Sequence, residues 1–365
     1  MQYREFGNTG AKLSALGFGA MRLPQEDDEA VRVMQRAFEL GVNYLDTAYG
    51  YTDSERKCGI ALKGWRDKVY LSTKNPLRDN TIEGWWSRLN ESLERLDTDH
   101  IDFYQVVHGL TWQEYEDFLL SGDGMKAVRK AQEQGLIKYC CFSCHDSTAN
   151  MIKLIDTGEF NGMTLQYNLL DRANEEVMTH ANEKGMGIIV MGPVGGGRLG
   201  APSEQIKKML PTEVKSSAEV ALRFVLSNPN VTSAISGMNT LEQVEENAAT
   251  ASREEPLSTD EKQAIEASLN ENKRLAELYC TGCKYCMPCP NGVNIPRNFS
   301  LMNMHKLYGL TDHARAIYNG LSNSEKPERG KKAEECIECG ECEPKCPQKI
   351  KIMEQLREVA ATFRE

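Results

Sequence analysis

Eight short apolar, β-branched runs alternate with amphipathic stretches through the first 250 residues, and two cysteine ladders follow in the last third of the chain. The alternation predicts an α/β fold, a (β/α)8 TIM barrel over residues 1–255. The ladders predict a small, mainly helical domain over 280–365, reached through a linker helix at 256–279. A length of 365 residues accommodates one large domain and one small one.

The strand candidates, in order, are 16–20, 43–47, 69–74, 101–108, 137–143, 163–168, 187–192 and 231–236. Helix-like segments separate them at 28–40, 81–96, 125–134, 174–184, 216–227 and 240–249. The stretch DEAVRVMQRAFELG has helical apolar spacing and meets a C-terminal stop at Gly41. In TIEGWWSRLNESLERL, Thr81 is an N-cap candidate and Trp85, Leu89, Leu93 and Leu96 define the apolar face. Ahead of the first barrel strand, QYREFGNTGAKLS reads as a hairpin turning at Asn8–Gly10 and plugging the barrel's bottom.

A barrel gathers its chemistry at the carboxyl ends of its strands. Asp46 closes the second strand candidate, Lys74 the third and His108 the fourth, with Tyr51 in the loop after the second. A lysine after a strand is commonly a solvated charge, and a lone histidine commonly structural. Four such groups on adjacent strand ends form a constellation.

Hydrophobic content of 40% and charged content of 26% are ordinary for a soluble globular chain. A formal net charge of −10 speaks against nucleic acid or an anionic membrane as partner. No apolar run approaches the roughly 20 residues of a membrane span. The start, MQYREFGNTG, lacks the apolar core of an export signal. Eight of the 12 cysteines lie in the ladders, the others being Cys58, Cys140, Cys141 and Cys144. Thiolate ligands need reducing surroundings, so the chain reads as cytoplasmic, from an anaerobe or an organism tolerating little oxygen.

The second ladder, Cys336, Cys339, Cys342 and Cys346 before Pro347, has the C-x2-C-x2-C-x3-C-P run of a bacterial-type [4Fe–4S] ligand set. The first, Cys280, Cys283, Cys286 and Cys289 before Pro290, shortens the last gap by one residue. Two ladders predict two clusters, with one cluster as the alternative; structural zinc is the competing reading for any C-x2-C pair. Ser258 followed by Glu261 reads as a capping box opening the linker helix. Between the ladders, 298–309 and 312–322 have helical character.

The segments DTAYGYTDSE (46–55), LSTK (71–74), QVVH (105–108), LQYN (165–168) and ISGMNTLEQVEEN (235–247) resemble the signature segments of aldo-keto reductases, in the same order. The resemblance covers roughly residues 1–255. It implies reversible reduction of a small aldehyde or ketone by NADPH or NADH. That family's spacing sets the acid tyrosine five residues after the aspartate, which selects Tyr51 over Tyr49. Lys74 would lower the phenol's pKa, Asp46 would orient the lysine, and His108 would polarise the substrate oxygen. The resemblance also implies Ser143 and Gln166 beside the carboxamide, and Met191, Gly192 and Val194 beside the ring and pyrophosphate. By the same resemblance Ser236, Gly237, Met238, Gln243, Glu246 and Asn247 fall at the adenosine end, while Arg198 is a candidate phosphate contact from its place in the glycine-rich loop 192–200. Two positions depart from the family pattern. Cys144 stands where many relatives have Asn after the serine, and Gln243 stands near the position of a base that meets a 2′-phosphate. NADPH and NADH therefore both stay open.

GPVGGGRLG (192–200) contains a formal GxGxxG, but Ala-Pro-Ser follows it instead of a helix, so it reads as a loop over a barrel-bound cofactor. The tail resembles α-helical ferredoxin domains, such as those of succinate dehydrogenase iron–sulfur subunits. That resemblance implies Cys280, Cys283, Cys286 and Cys346 on one cluster, and Cys336, Cys339, Cys342 and Cys289 on the other. Clusters move single electrons and nicotinamide exchanges hydride, with no flavin signature to mediate. Three functions follow: a reductase fed by a ferredoxin-like electron carrier, a carbonyl reductase with structural or redox-sensing clusters, and a non-catalytic regulatory subunit. The complete tetrad speaks against the third. Substrate choice is expected from βα loops containing Trp65, Trp112 and 109–124, and Cys144 is the candidate reactive thiol among the four outside the ladders.

Overall fold

The computed structural model describes residues 1–277, 280, 284–323, 325–346 and 349–364, without the side chains of Arg198 and 273–277. The chain divides into two compact units, 1–197 with 221–257, and 198–220 with 258–365.

The first unit is the barrel. Strands β1 (Tyr3–Glu5) and β2 (Lys12–Ser14) form the expected antiparallel hairpin, with Tyr3 opposite Ser14. Eight parallel strands follow: β3 (Leu16–Gly19), β4 (Tyr44–Asp46), β5 (Tyr70–Lys74), β6 (Ile101–Gln105), β7 (Ile137–Cys144), β8 (Gly162–Gln166), β9 (Gly187–Met191) and β10 (Ser233–Ser236). They pair in chain order and close when β10 pairs with β3. Helices α1 (Asp27–Glu39), α2 (Ser54–Ala61), α3 (Ile82–Leu96), α4 (Trp112–Glu114), α5 (Gly124–Glu133), α6 (Thr148–Asp156) and α7 (Glu175–Glu183) connect the strands, with a π-helical turn at Tyr115–Leu120. Thr81 caps α3 by accepting from Gly84 N–H at 3.1 Å, and Gly41, at φ +92°, follows the end of α1.

The hairpin plugs the barrel through Phe6. Its ring packs on Phe103 with centroids 4.6 Å apart, inside a cluster containing Leu13, Tyr44, Ile189 and Ile235. Room for it is made by two glycines, since a Cβ on Gly162 would lie 2.1 Å from Phe6 Cζ and one on Gly187 2.3 Å from Phe6 Cγ. Burying such a ring stabilises the fold by about 1.5–3 kcal/mol.

Two expectations about the barrel are corrected. The strand β6 ends at Gln105, so His108 sits in the following loop, where Asn75 C=O accepts its N–H at 2.8 Å. Trp65 is not in a βα loop; it lies in the turn leading into β5, at the strands' amino ends, with its ring 5.7 Å from that of Phe38. Trp112 does lie after β6, stacked on Tyr115 at 5.3 Å.

The second unit contains α8 (Glu204–Lys207), the start of α9 (Ser217–Leu226), α11 (Thr259–Glu277), α12 (Ile295–Tyr308), α13 (Thr311–Asn319) and α14 (Ile352–Phe363), whereas α10 (Leu241–Ala251) belongs to the barrel. The capping box is present: Glu261 N–H donates to Ser258 Oγ, and Ser258 N–H to Glu261 Oε2 at 2.9 Å. Its core brings together Val293, Phe299, Leu301, Met302, Tyr318, Leu356, Val359 and Phe363. Among the described residues no helix is long and apolar enough to cross a membrane.

Candidate active site

The loop between β4 and α2 continues the hydrogen-bond ladder of its neighbour strand. Thr47 N–H donates to Ser72 C=O at 2.9 Å and Tyr49 N–H to Lys74 C=O at 3.1 Å, which hangs the Tyr51 turn on the lysine's own strand. Thr52, directly after Tyr51, has φ +36°, an unusual backbone for a β-branched residue. The turn is fixed from behind by buried polar groups. Ser54 Oγ lies 2.8 Å from Thr47 Oγ1 and donates to Ala20 C=O, while Thr73 Oγ1 donates to the buried Glu55 carboxylate at 2.7 Å. Arg95 reaches Glu55 at 3.4 Å and lies over the Tyr49 ring. Single-residue pattern reading does not separate Ser54 and Glu55 from a solvated helix start; their burial does.

Asp46, Tyr51, Lys74 and His108 are brought together. Lys74 Nζ donates to Asp46 Oδ1 at 2.5 Å and to Thr47 C=O at 2.6 Å, and Ser72 Oγ donates to Asp46 Oδ2 at 3.2 Å. The ammonium lies 5.1 Å from the Tyr51 ring centroid, and the Tyr51 and His108 rings meet edge-on at 5.9 Å. Burial raises the Asp46 carboxyl, with Lys74 opposing it. Burial opposes the Lys74 charge, but Asp46 and Tyr51 more than offset this and hold the ammonium above its ordinary range.

The phenol departs from expectation. Burial dominates and raises the Tyr51 pKa, while Lys74 pulls it down and Asp46 pushes it up. Lys74 thus acts in the expected direction without winning. His108 is pushed down to about 4, by burial first and then by the charges of Lys74 and His145. His145, which follows Cys144, escaped sequence reading because a histidine at that position carries no motif.

The candidate cofactor contacts line consecutive strand ends. Gln166, Met191 and Ser236 are the last residues of β8, β9 and β10, and Ser143 is the last but one of β7. Ser143 Oγ accepts from Gly109 N–H at 3.0 Å. Gly192, at φ +64°, lies so close to Gln166 that a Cβ would meet its amide nitrogen at 2.6 Å. Asn247 Nδ2 donates to Ser236 Oγ at 3.3 Å, and Met238 is buried. Gln243 Oε1 accepts from Asn239 N–H at 2.9 Å. Gly237 and Val194 lie in the loops after β10 and β9, and Glu246 lies on α10. Arg198's side chain lies outside the described residues. The GxGxxG run forms a 3₁₀ turn with Gly195, Gly196 and Gly197 at positive φ, and the next helix opens only at Glu204. These ends fit a dinucleotide: small or amide-bearing residues ring the barrel mouth, and the backbone approaches closely at Gly192.

Cys144 is corrected. It is fully buried, its Sγ lies 3.1 Å from Leu110 C=O, and burial raises its thiol to about 11, so it is not a reactive thiolate. Cys58 and Cys140 are likewise buried and raised to about 12, and Cys141 is buried next to Cys140.

In the ladders, Cys342 is buried, and Cys280, Cys286, Cys289, Cys336 and Cys346 pack against the same apolar core. Cys339 is exposed. Burial raises the Cys342 thiol, with added repulsion from Cys336, Glu343 and Cys339, so the Cys336 and Cys339 sulfurs each lie within electrostatic reach of Cys342. Left-handed residues tighten the loops: Lys284 at φ +65°, and Glu338 and Gly340 at +52° and +78° on either side of Cys339. Among the described residues no three metal-ligating side chains converge on a metal-binding point, and Cys283 lies outside those residues. Soft thiolates on tight loops against an apolar wall fit an iron–sulfur cluster by donor chemistry.

The profile of the aldo/keto reductase family matches residues 15–270, and that of a 4Fe-4S dicluster domain matches 279–350. The uncharacterized oxidoreductase YqkF of Bacillus subtilis is 30% identical over 310 residues, covering 74% of this chain and 98% of the relative. The L-galactose dehydrogenase of Arabidopsis thaliana is 28% identical over 310 residues, covering 75% and 96%. Among solved structures, the holo form of aldo-keto reductase AKR11C1 from Bacillus halodurans superposes with a TM-score of 0.65 at 30% identity, covering 73% of this chain and 96% of that one. The chain belongs to the aldo/keto reductase family. It is an oxidoreductase of that family with a C-terminal 4Fe-4S dicluster domain.

Proposed function

We propose that this oxidoreductase reduces a small aldehyde or ketone with a nicotinamide dinucleotide, using Tyr51 as proton donor. When bound at the barrel mouth, the dihydronicotinamide supplies the hydride. The chain's own residues do the rest. Tyr51 gives its proton to the carbonyl oxygen, and the phenolate left behind is stabilised by Lys74. An ammonium has three N–H donors, of which Asp46 and Thr47 take two, leaving one for the phenol. The third N–H, beside the Tyr51 ring, is what supports Tyr51 as the proton donor. His108, neutral at physiological pH, donates to the same oxygen without competing as an acid. Gln243 is uncharged and turned onto Asn239 N–H, which favours NADH over NADPH.

The cysteines Cys280, Cys283, Cys286 and Cys346 would hold one [4Fe–4S] cluster, and Cys336, Cys339, Cys342 and Cys289 the other; clusters so held would supply one-electron exchange with a ferredoxin-like carrier. A second reading, structural clusters, is favoured by the packing of the ladder thiols against the unit's core. Protein purified without oxygen is assayed with NADH, NADPH or reduced ferredoxin, each alone. Carbonyl reduction with a dinucleotide alone supports the barrel chemistry, and turnover with ferredoxin alone supports the electron path. No reduction with either dinucleotide overturns the reading.

A further inference from the structure

The stretch after β9 leaves the barrel. Its first residues, through Gly197, belong to the barrel unit, where Arg22 Nη1 donates to Gly196 C=O at 2.7 Å. From residue 198 to 220 the same stretch belongs to the cysteine-ladder unit. Three contacts within that unit hold it. Ser203 Oγ donates to Tyr308 C=O at 2.5 Å, on the last residue of α12. Gln205 lies over Gly309, so closely that a Cβ there would meet its Oε1 at 2.3 Å. Thr212 Oγ1 donates to Glu261 Oε1 at 2.9 Å in the first turn of α11. The helix α12 also carries Phe299, Leu301 and Met302, the core residues of the cluster against which the ladder cysteines pack. The barrel-side anchorage is a turn of three left-handed glycines, Gly195, Gly196 and Gly197, in which Gly195 N–H donates to Gly192 C=O at 2.8 Å and Gly197 N–H to Val194 C=O at 3.0 Å.

We propose that Ser203, Gln205 and Thr212 are positioning residues that couple dinucleotide affinity to the integrity of the iron–sulfur unit through the hydrogen-bonded Gly195–Gly197 turn. The inference rests on the reading that the dinucleotide lies against Met191–Val194. A loop whose far end is fixed has less freedom to lose when it closes on a ligand, so an ordered second unit strengthens binding. Linkage makes the effect reciprocal: the dinucleotide must protect the second unit by the factor with which that unit promotes binding. This gives the appended domain a role in a hydride enzyme that needs no electron to pass.

The test uses the full chain purified without oxygen with its clusters in place. NADH dissociation constants are read from protein fluorescence for wild type, for Ser203→Ala with Thr212→Val, and for Tyr51→Phe as a control. Amide hydrogen exchange is followed with and without NADH. The double variant is expected to keep its cluster absorbance and bind NADH about 5–20-fold more weakly. In the wild type, NADH is expected to slow exchange in 203–212 and 295–308. If the double variant loses its clusters, Ser203→Ala alone decides, with an expected weakening of about threefold. Unchanged affinity in a cluster-loaded variant, with exchange in the second unit indifferent to NADH, overturns the coupling and leaves the parent reading standing. Wild type that binds neither NADH nor NADPH overturns both.

Discussion

Lys74 Nζ and Asp46 Oδ1 lie 2.5 Å apart, with both side chains about 3% exposed, at the carboxyl ends of two adjacent parallel strands. A buried ion pair is costly to form and far costlier to break, because removing one partner leaves an unpaired charge in a low dielectric. Asp46→Asn does that. Burial then acts on the ammonium without its largest compensation, and the phenol loses a cation that stabilises its conjugate base. Steady-state carbonyl reduction is expected to fall about 10²-fold, with a lower thermal midpoint. Asp46→Asn combined with Lys74→Met should cost little more than the worse of the two alone, since both disable one unit.

The pH dependence follows from His108 and Tyr51. His108 is pushed to about 4, below its ordinary 6.5, so the unfolded chain binds its proton more readily than the folded one. Its contribution to stability is intact above about pH 6.5 and is lost as pH falls toward about 4. No protonation of His108 should limit carbonyl reduction between about pH 5.5 and 8. Tyr51 lies above its ordinary value because burial prevails, so it keeps its proton in that window. The reverse reaction, alcohol oxidation, needs the phenolate and should still be rising at about pH 9. Rate profiles in both directions check this. An acid limb near pH 6.5 in reduction that disappears in His108→Gln would contradict it.

Glu55 lies buried behind the tyrosine turn, placed to position it. Its carboxylate is 2% exposed, accepts from Thr73 and meets Arg95. Glu55→Gln keeps the shape and removes the charge. The expected result is a kcat reduced about tenfold with KM nearly unchanged, and a stability loss of about 1–3 kcal/mol. Equal kcat in a destabilised variant would assign Glu55 to folding alone.

The plug residue Phe6 and the glycine beneath it, Gly187, are one packing unit. Phe6→Ala should cost about 3–5 kcal/mol and Gly187→Ala about 1–3 kcal/mol. The double variant should cost less than the sum, because the alanine methyl enters the space the ring vacated. Denaturant titration of the barrel transition measures this, and strict additivity would argue against contact.

Much of this was legible in the sequence, for physical reasons that differ by element. The strand around Val190 is buried on both sides and so reads as a continuous apolar run. Thr81 and Ser258 announced their helices because a cap is a local signal. The strand end at Gln105 was overrun because Val106 and Val107 continue the apolar run while leaving the ladder. Distances in sequence hid the partnership of 198–220 with the ladder unit, since Ser203 and Tyr308 meet only in the fold. For the same reason the net direction of the Tyr51 shift is not legible in sequence. Spacing gives the charge beside a group, and burial is a property of everything around it.

On the proposed route, the Tyr51 hydroxyl delivers the proton that completes carbonyl reduction. The most direct measurement is turnover and NADH affinity of Tyr51→Phe, side by side with wild type, in oxygen-free, cluster-loaded protein. Turnover is expected to fall by about 10²–10⁴-fold with a dissociation constant within about twofold. Turnover equal to wild type in a variant that binds NADH normally would contradict it.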